Sequence, residues 1–291
     1  MEHAILGAGA IGGLVGTAVA SLGEGVTVLV RPERLPGYPA NLTLERPSGV
    51  ITSPAKVAAT LANPVDVLWI ATKTYQLETA LQAVQSLPSY IVPLLNGVDH
   101  VDVLRTHFGN DRVLPATIAV EAERTGPGRF VQRSPFVNLN LAASGEQVLG
   151  AMVARLRNLE FTCRFIQNEQ TLLWSKLCFL GPFALATSAS GMNKGEIYAD
   201  AEWKRKLISA MTEACAVAKA SGAEVEAVQI QKMYDGLPSG IRSSMQKDLA
   251  AGRQLELDAI GGPIVRGGER HGIDVFTATA LMSVIRAKAA Q

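Results

Sequence analysis

Three glycines near the start of the chain have a spacing that suggests chemistry. Gly7, Gly9 and Gly12 follow the pattern G-x-G-x-x-G. In a strand-turn-helix unit the first glycine permits a sharp turn, the second lets backbone amides approach a pyrophosphate, and the third lets the helix pack closely on the strand. The pattern therefore predicts a dinucleotide site. Its full run is Gly7-Ala8-Gly9-Ala10-Ile11-Gly12.

The segments on both sides of these glycines have the composition that the motif requires. His3–Leu6 is a short apolar run that predicts a strand, and residues 13–21 are small, apolar and free of proline, which favours a helix. The apolar, β-branched run Val26–Val30 predicts a second strand and completes a β-α-β unit. Since glycines also mark ordinary turns, this context carries the prediction as much as the triplet does.

Two basic residues follow predicted strands near this loop. Arg31 stands where an NAD site usually has an Asp or Glu that binds the ribose 2′-OH, so an arginine favours the 2′-phosphate of NADP(H). Lys73 follows a predicted buried strand over 65–70, and ligands of open α/β sheets bind beyond the carboxyl ends of the strands. Lys73 is therefore expected at the adenosine end of the cofactor. The alternatives are a solvated arginine and a surface lysine at a helix entry.

Asn96 follows another apolar run, over 90–95, and precedes Gly97. This position belongs to the same predicted edge of the sheet, where the side-chain amide would hold a ribose hydroxyl or a substrate oxygen. The alternative is structural, because Asn-Gly is a common turn pair that uses positive φ.

One lysine interrupts an otherwise apolar helix that is predicted to start after Asn168. Lys176 has only apolar residues one turn away in either direction, so it either extends to solvent or pairs with a negative group in a cleft. Glu256, on a helix predicted to follow Ser243-Ser244, is a candidate partner, with a solvated acid as the alternative. Ser244 is also a candidate helix cap.

The order of the predicted elements indicates two domains. Strands and helices alternate up to about residue 167, and the chain is almost wholly helical from Asn168 onward. We predict an α/β protein with a Rossmann-type doubly wound sheet domain over 1–167 and an all-α domain over 168–291. Further predicted elements are a helix over 77–87, strands over 113–120, 129–141 and 161–166, and a kink or end of the lysine helix at Pro182.

Composition narrows the function classes. The chain has 291 residues, 48% of them hydrophobic, and a net charge of +1, which gives no general attraction to nucleic acid or anionic membranes. The first strand leaves no room for a signal peptide, and the most apolar stretch, 177–186, is shorter than the roughly twenty residues of a membrane helix. We therefore expect a cytoplasmic protein. Three widely spaced cysteines suggest neither a disulfide framework nor a metal site.

With these residues considered together, the chain resembles the ketopantoate reductase (2-dehydropantoate 2-reductase) family over nearly its whole length. The resemblance implies NADP(H) as cofactor, Lys176 as the catalytic lysine, Glu256 as its acidic partner, Asn96 as a cofactor and substrate contact, and Ser244 as a contact to the substrate carboxylate. It also implies a place in pantothenate biosynthesis. The matching segments are Gly7-Ala8-Gly9-Ala10-Ile11-Gly12, Arg31, Lys73-Thr74-Tyr75-Gln76, Asn96-Gly97, Trp174-Ser175-Lys176-Leu177, Ser244-Met245 and Gly252-Arg253-Gln254-Leu255-Glu256-Leu257-Asp258.

The chain departs from this family in residues that would hold a polar substrate. Members that reduce ketopantoate usually carry asparagines four and eight residues after the lysine, where this chain has Leu180 and Ala184. Gly261 replaces another asparagine. A site that loses its partners for a substrate hydroxyl binds that substrate much less well. Leu180 is therefore expected to contact the substrate and to favour a more apolar one.

The resulting hypothesis is an NADPH-dependent reductase of a small 2-oxo acid, with ketopantoate as the first candidate. The nicotinamide would deliver the hydride, and Lys176 would polarise the carbonyl oxygen and donate the proton. Two alternatives stay open: a 3-hydroxy acid dehydrogenase of similar build, and a non-catalytic NADP(H)-binding sensor or scaffold. The expected partners are a small-molecule substrate and no nucleic acid or membrane, and a homodimer through the helical domain stays open.

Overall fold

The computed structural model describes residues 1–290 and divides them into two compact units. The first unit contains Met1–Leu95 and His100–Gln167, and the second contains Asn96–Asp99 and the chain from Asn168 onward. The first unit is a Rossmann-type α/β structure and the second is helical, so the predicted fold class is confirmed. The short segment 96–99 groups with the helical unit although it lies far before it in the sequence.

The first unit contains all the strands of the described chain and four α-helices. The strands are β1 (Glu2–Leu6), β2 (Gly25–Leu29), β3 (Asn41–Arg46), β4 (Gly49–Pro54), β5 (Lys56–Ala58), β6 (Val67–Ile70), β7 (Tyr90–Pro93), β8 (Ala116–Ala119), β9 (Ala122–Gly126), β10 (Arg129–Gln132), β11 (Val137–Ala142) and β12 (Phe161–Ile166). The helices are α1 (Ala10–Ser21), α2 (Leu77–Leu81), α3 (His100–Phe108) and α4 (Glu146–Leu156).

The central sheet of this unit is parallel, with strand order β5-β2-β1-β6-β7. The chain moves outward from β1 to β2 and β5, and then returns to the other side of β1 with β6 and β7. The strand order therefore reverses between β1 and β6. In open α/β sheets, ligands bind beyond the carboxyl ends of the strands at such a reversal. Here the loops at that place begin at Gly7 and Ala71.

Two smaller sheets complete the first unit, with strand orders β4-β3-β10-β9 and β12-β11-β8. Helix α1 contacts strands of both the parallel sheet and the four-stranded sheet. Its glycines make this close packing possible: a Cβ on Gly13 would overlap the ring of Phe130, and a Cβ on Gly16 would lie 3.0 Å from Ile5 Cγ1. Small residues in α1 thus fix the position of the helix that follows the glycine loop.

The second unit is built around one long helix. Helix α5 contacts every other long helix of the unit through buried side chains such as Leu177 and Cys178. The unit's helices are α5 (Glu169–Ser190), α6 (Lys194–Ala199), α7 (Ala201–Ala220), α8 (Ala227–Asp235), α9 (Ser244–Ala250), α10 (Leu257–His271) and α11 (Phe276–Ala289).

Helix α5 continues through Pro182, so of the two predicted outcomes, a kink or an end of the helix, the end was wrong. A proline inside a helix removes the N–H that would bond the carbonyl four residues earlier, here that of Cys178. The buried Tyr234 hydroxyl lies 3.3 Å from that carbonyl oxygen and donates to the neighbouring Phe179 carbonyl at 2.8 Å. The Tyr234 hydroxyl of α8 therefore lies between two carbonyl groups of α5 next to the position where the proline leaves one without its helical donor.

Because α5 continues through Pro182, it is longer than the apolar stretch 177–186 and has to be compared with a membrane-spanning helix. Among the residues that the structure describes, Glu169–Ser190 is the single helix long and apolar enough to cross a bilayer by length and composition. Core helices of globular proteins pass the same test, and 78% of the apolar window of α5 is buried inside the protein. Its apolar side chains are thus explained by packing within the helical unit.

Two predicted elements of the first unit were wrong in extent. The helix predicted over 77–87 ends at Leu81, because the chain then turns and Val84 forms a parallel bridge to Leu61. The strand predicted over 129–141 is two strands of different sheets, β10 and β11. The break between them contains Ser134, whose hydroxyl accepts from the Glu121 backbone and donates to the Phe136 carbonyl.

The helix predicted after Ser243 was also wrong in extent. Helix α9 ends at Ala250, and α10 begins only at Leu257. Gly252 between them has a φ of +61°, a left-handed conformation that glycine adopts easily and that ends the first helix. Glu256 therefore precedes a helix instead of lying on the face of one.

Candidate functional site

The glycine loop between β1 and α1 is shaped by contacts that only glycine permits. Gly7 has a φ of +104°, and a Cβ there would lie 2.7 Å from the Ala71 carbonyl carbon. A Cβ on Gly12 would overlap the Gly7 carbonyl oxygen. These two glycines thus hold the end of β1, the start of α1 and the loop after β6 together.

The start of α1 is open in front of its backbone amides. Gly9 occupies the N-cap position and no side chain caps the helix. A Cβ on Gly9 would meet nothing within 4 Å, so there is room beside its backbone. Uncapped N–H groups and the helix dipole attract anions. This geometry fits a pyrophosphate; the middle residues of the motif, Ala8, Ala10 and Ile11, form the loop and first turn around it.

A buried hydroxyl beside the loop also fits a polar ligand. Thr72 Oγ1 is shielded from solvent and has no hydrogen-bond partner, and its backbone nitrogen would lie 2.8 Å from a Cβ on Gly7. A buried polar atom without a partner destabilises the protein, and a bound ligand would satisfy it. The sequence indicates the neighbouring Lys73 but not Thr72, because only the fold shows that the Thr72 hydroxyl is buried beside Gly7.

Arg31 and Lys73 follow the two strands that flank β1. Arg31 comes just after β2 and is exposed, while Lys73 comes just after β6 and is half-buried. Because β2 and β6 both run parallel to β1, both residues lie at the carboxyl edge of the sheet together with Gly7. The first unit thus brings its predicted cofactor residues to one edge.

In the second unit, Lys176 lies in the second turn of α5 among apolar side chains. Leu172 and Leu173, one turn before it, are buried, and Phe179 and Leu180, one turn after it, are half-buried. Lys176 keeps part of its side chain in contact with solvent, yet loss of water around it lowers the pKa of its amine from 10.5 to about 8. The negative charge of Glu256 opposes this shift.

The start of α5 is held in place by side-chain hydrogen bonds. Asn168 caps the helix by accepting from the Thr171 backbone at 2.9 Å, as its sequence position predicts. Its amide nitrogen also donates to the Gly222 carbonyl at 3.1 Å, and the Thr171 hydroxyl accepts from the Glu224 backbone at 2.8 Å. The first turn of α5, which precedes the turn of Lys176, is therefore tied to the chain that follows α7.

Glu256 is a buried acid at the N-cap position of α10, with 6% of its surface exposed. One of its carboxylate oxygens, Oε2, accepts a hydrogen bond from Asn96 Nδ2 at 3.3 Å. Gly97 has a φ of +88°, as the turn alternative for Asn-Gly requires, and a Cβ there would overlap the Ala259 carbonyl oxygen. The turn thus presses the segment 96–99 against the start of α10, and Asn96 has both a turn position and a contact with Glu256.

The two serines before α9 have different environments. Ser243 caps the helix by accepting from the Gln246 backbone at 3.1 Å, and its buried hydroxyl contacts the Thr187 hydroxyl of α5 at 2.7 Å. The expectation that Ser244 is the cap was therefore wrong. Ser244 is the first residue of α9 and is exposed, so its hydroxyl is accessible to a ligand.

The three positions at which the chain departs from the resembled family, Leu180, Ala184 and Gly261, differ in burial and in the space around them. Leu180 is half-buried one turn after Lys176, whereas Ala184 is fully buried. At Gly261, a Cβ would lie 2.6 Å from Met282 Sδ, so the methionine occupies the space that a longer side chain would need. Of these three positions, Leu180 is the one open to a substrate.

The structure thus groups Lys176, Leu180, Asn96 and Glu256 in the helical unit, and joins the helix of Ser244 to that of Lys176. In the described part of the chain, no group of three or more His, Cys, Asp or Glu side chains is arranged to hold a metal ion. The chemistry available here is that of a partly desolvated ammonium group beside a buried carboxylate.

Two family models match the chain, one in each unit. The model described as "Ketopantoate reductase PanE/ApbA" matches residues 3–145, and the model described as "Ketopantoate reductase PanE/ApbA C terminal" matches residues 168–289. Together they include the glycine loop, Arg31, Lys73 and Asn96 in the first match, and Lys176, Ser244 and Glu256 in the second.

Individual relatives agree with these matches. The 2-dehydropantoate 2-reductase of Caulobacter vibrioides is 30% identical over 296 residues, covering 98% of each chain. Among solved structures, a ternary complex of D-mandelate dehydrogenase with NADH and anilino(oxo)acetate has a TM-score of 0.86 at 22% identity and covers 100% of this chain and 99% of that one. A dimeric ketopantoate reductase of Staphylococcus aureus has a TM-score of 0.80 at 21% identity, with the same coverage.

Proposed function

This chain belongs to the ketopantoate reductase family, and on that premise we propose that it reduces the carbonyl group of a small 2-oxo acid with NADPH. The observation that carries the proposal is the environment of Lys176. Its amine has a pKa of about 8, lowered by loss of water, and Glu256 provides the opposing negative charge. An ammonium group of this kind is protonated at neutral pH and is a better proton donor than a fully solvated lysine.

The proposed division of labour assigns one role to each unit. A nicotinamide cofactor bound by the first unit would supply the hydride. Lys176 would bind the carbonyl oxygen, stabilise the negative charge that develops on it, and donate the proton through Nζ. Glu256 would keep the amine protonated and oriented, and Asn96, which donates to Glu256 Oε2, would hold that carboxylate or contact the substrate.

The preference for NADPH over NADH rests on Arg31 and Lys73. Both stand at the carboxyl edge of the sheet, and neither supplies the carboxylate that would bind a free 2′-OH. Removing a guanidinium that binds a 2′-phosphate should weaken NADPH binding by about 10- to 100-fold. We expect Arg31→Ala to do so without changing NADH binding, with the nearby exposed Arg34→Ala as the matched control. NADH binding as tight as NADPH in the unaltered protein would contradict this role.

The proposed substrate carries a carboxylate and a carbonyl, with Ser244 as the contact for the carboxylate. The side chain one turn beyond the lysine is Leu180, which offers no hydrogen bond to a substrate hydroxyl. Ketopantoate and trimethylpyruvate form a matched pair, because they differ only by that hydroxyl. We expect kcat/KM for trimethylpyruvate to be within about tenfold of that for ketopantoate, and Leu180→Asn to shift the ratio toward ketopantoate.

The decisive experiment is NADPH oxidation against a panel of 2-oxo acids that includes this pair and phenylglyoxylate. Lys176→Ala should lower kcat by about 10²- to 10⁴-fold while NADPH affinity is kept. Lys232→Ala, which removes an exposed lysine of α8, is the matched control and should leave turnover unchanged. Tight NADPH binding with no turnover of any oxo acid would contradict the reductase and favour a cofactor-binding sensor. Turnover of 3-hydroxy acids alone would favour the dehydrogenase alternative.

We also propose that the protein forms a homodimer, which the dimeric relative from Staphylococcus aureus supports. Light scattering of the purified full chain at micromolar concentration should give twice the mass of 30.8 kDa. A monomer at that concentration would contradict the proposal.

A further inference from the structure

Arg266, in α10, forms ion pairs with two carboxylates, one close in sequence to Asn96 and the other close in sequence to Glu256. Arg266 Nη1 donates to Asp258 Oδ1 at 2.9 Å, and its Nη2 donates to Asp99 Oδ2 at 2.5 Å. Asp258 lies two residues after Glu256, and Asp99 lies three residues after Asn96. The guanidinium therefore makes a second connection between the segment that carries Asn96 and the start of the helix that Glu256 precedes.

The residue beneath the Arg266 guanidinium is a glycine, Gly262. Arg266 extends back along α10 over Gly262, where a Cβ would lie 2.6 Å from both Nη1 and Nη2 and 2.7 Å from Asp258 Oδ1. With any other residue at this position the guanidinium would have to move. The Asp99–Arg266–Asp258 bridge thus depends on Gly262 as well as on its three charged side chains.

The segment that the bridge holds is already in close contact with α10. The turn at Gly97 fits against the Ala259 carbonyl so tightly that a Cβ would overlap it. However, the contact that matters for the lysine, Asn96 Nδ2 to Glu256 Oε2, is long at 3.3 Å. The two ion pairs of Arg266 are a further attachment between the segment 96–99 and α10.

The bridge contributes little to stability by itself. Arg266, Asp99 and Asp258 have side chains that are 43%, 52% and 76% exposed. Ion pairs this exposed contribute about 0 to 1 kcal/mol each, because water and salt screen them. We therefore expect these ion pairs to affect mainly the position of the segment 96–99, and the free energy of unfolding only slightly.

We propose that Arg266 is a positioning residue, which holds the segment 96–99 against α10 so that Asn96 keeps the Glu256 carboxylate directed at Lys176. Its importance for turnover rests on the reductase function proposed above, but the positioning itself does not. Removal of the bridge should release Asn96 and let the Glu256 carboxylate move away from the amine. A direct effect of Arg266 on Lys176 would have the opposite sign, because removing a positive charge makes a nearby ammonium easier to form.

The test measures the pKa of Lys176 without any turnover. The full-length protein is labelled with trace acetic anhydride between pH 6 and 11, and mass spectrometry gives the labelling rate of the Lys176 peptide at each pH. Glu256→Gln should lower the pKa of Lys176, since the carboxylate raises it. Arg266→Ala should lower it in the same direction, by about a third of the Glu256→Gln shift or more.

Two further variants separate position from charge. Gly262→Ala displaces the guanidinium without changing any charge and should also lower the pKa of Lys176. Arg270→Ala removes an exposed positive charge from the same helix and should leave it unchanged. A pKa of Lys176 that stays constant or rises in both Arg266→Ala and Gly262→Ala would overturn the proposal. A lack of turnover with every oxo acid of the panel would contradict the reductase proposal but would not change the measured pKa of Lys176. The two proposals can therefore fail separately.

Discussion

The two units build their candidate sites from different atoms. In the first unit the site is made mainly of backbone: the glycines of the loop, the open amides of α1 and the ends of neighbouring parallel strands. In the second unit it is made of side chains, and the Asn96–Glu256 contact joins residues 160 positions apart. A backbone site needs close spacing in sequence and leaves a short motif. A side-chain site needs only that the folded elements meet, so its members are scattered.

This difference also predicts how each site fails. A backbone site is disrupted by adding atoms, because a Cβ at one of its glycines meets either the protein itself or the space that the ligand needs. A side-chain site is disrupted by removing atoms, because each group has a separate chemical role. Substitutions of both kinds therefore distinguish the two sites.

The largest effect is expected at Gly12. A Cβ there would overlap the Gly7 carbonyl oxygen, so Gly12→Ala should destabilise the first unit by about 1 to 3 kcal/mol or more and abolish NADPH binding. Gly9→Ala is the matched comparison, because its Cβ would meet nothing within 4 Å. It should leave the free energy of unfolding unchanged while weakening NADPH binding, as urea denaturation and fluorescence titration would show. Equal NADPH affinity in Gly9→Ala and the unaltered protein would break the comparison, since no backbone approach would then be needed.

The next effect changes stability only in acid and concerns a buried side chain of the first unit. His3, in β1, is fully buried, and its Nδ1 accepts from Trp69 Nε1 at 3.2 Å. Loss of water lowers the pKa of His3 from 6.5 to about 4, although Glu24 opposes the shift. Between about pH 4 and pH 6.5, the unfolded chain binds a proton at His3 that the folded chain does not bind. Stability is therefore complete above about pH 6.5 and falls by about 3 kcal/mol as the pH decreases toward 4.

Urea denaturation of His3→Gln at a series of pH values isolates this effect. The variant should lose less stability between pH 6.5 and 4 than the unaltered protein does, and His107→Gln, at an exposed position of α3, should behave like the unaltered protein. If His3→Gln and the unaltered protein lose the same amount, burial of His3 has no role in the acid sensitivity of the first unit.

The smallest effect separates the two serines of the second unit. Ser243→Ala removes the cap of α9 and the contact to Thr187, and should lower the free energy of unfolding by about 1 kcal/mol. Ser244→Ala removes an exposed hydroxyl and should change stability by less than about 0.5 kcal/mol. If Ser244 binds the substrate carboxylate, its variant should raise KM more than Ser243→Ala does. The reverse order of KM effects would remove Ser244 from the proposed site.

The sequence predicts the first unit well where a local pattern determines the structure. The β1-loop-α1 unit follows from glycine spacing and apolar runs, and its glycines have the contacts that the motif implies. The errors fall where distant partners decide. Val84 leaves the predicted helix to bridge Leu61, and Ser134 separates two strands by binding backbone groups on either side.

The side-chain site is harder to predict for the same reason. Lys176 stands out in the sequence because its helix is apolar, but the residues around Glu256 are equally consistent with a solvated acid until the resemblance is considered. Arg266 reads as surface charge in the sequence, since nothing local shows that Asp99 comes near it. Likewise Thr72 becomes notable only once its hydroxyl is seen to be buried. Each of these residues is defined by a contact and not by a spacing.

If Lys176 donates the proton to the carbonyl oxygen, its pKa determines the pH dependence of kcat/KM. With saturating NADPH, kcat/KM for the best 2-oxo acid of the panel should fall above about pH 8 as a single group deprotonates, because the pKa of Lys176 before the substrate binds is about 8. Glu256→Gln should move this fall to lower pH. A kcat/KM that stays constant from pH 7 to beyond 9.5, or a fall at the same pH in Lys176→Arg, would contradict the proton-donor role of Lys176.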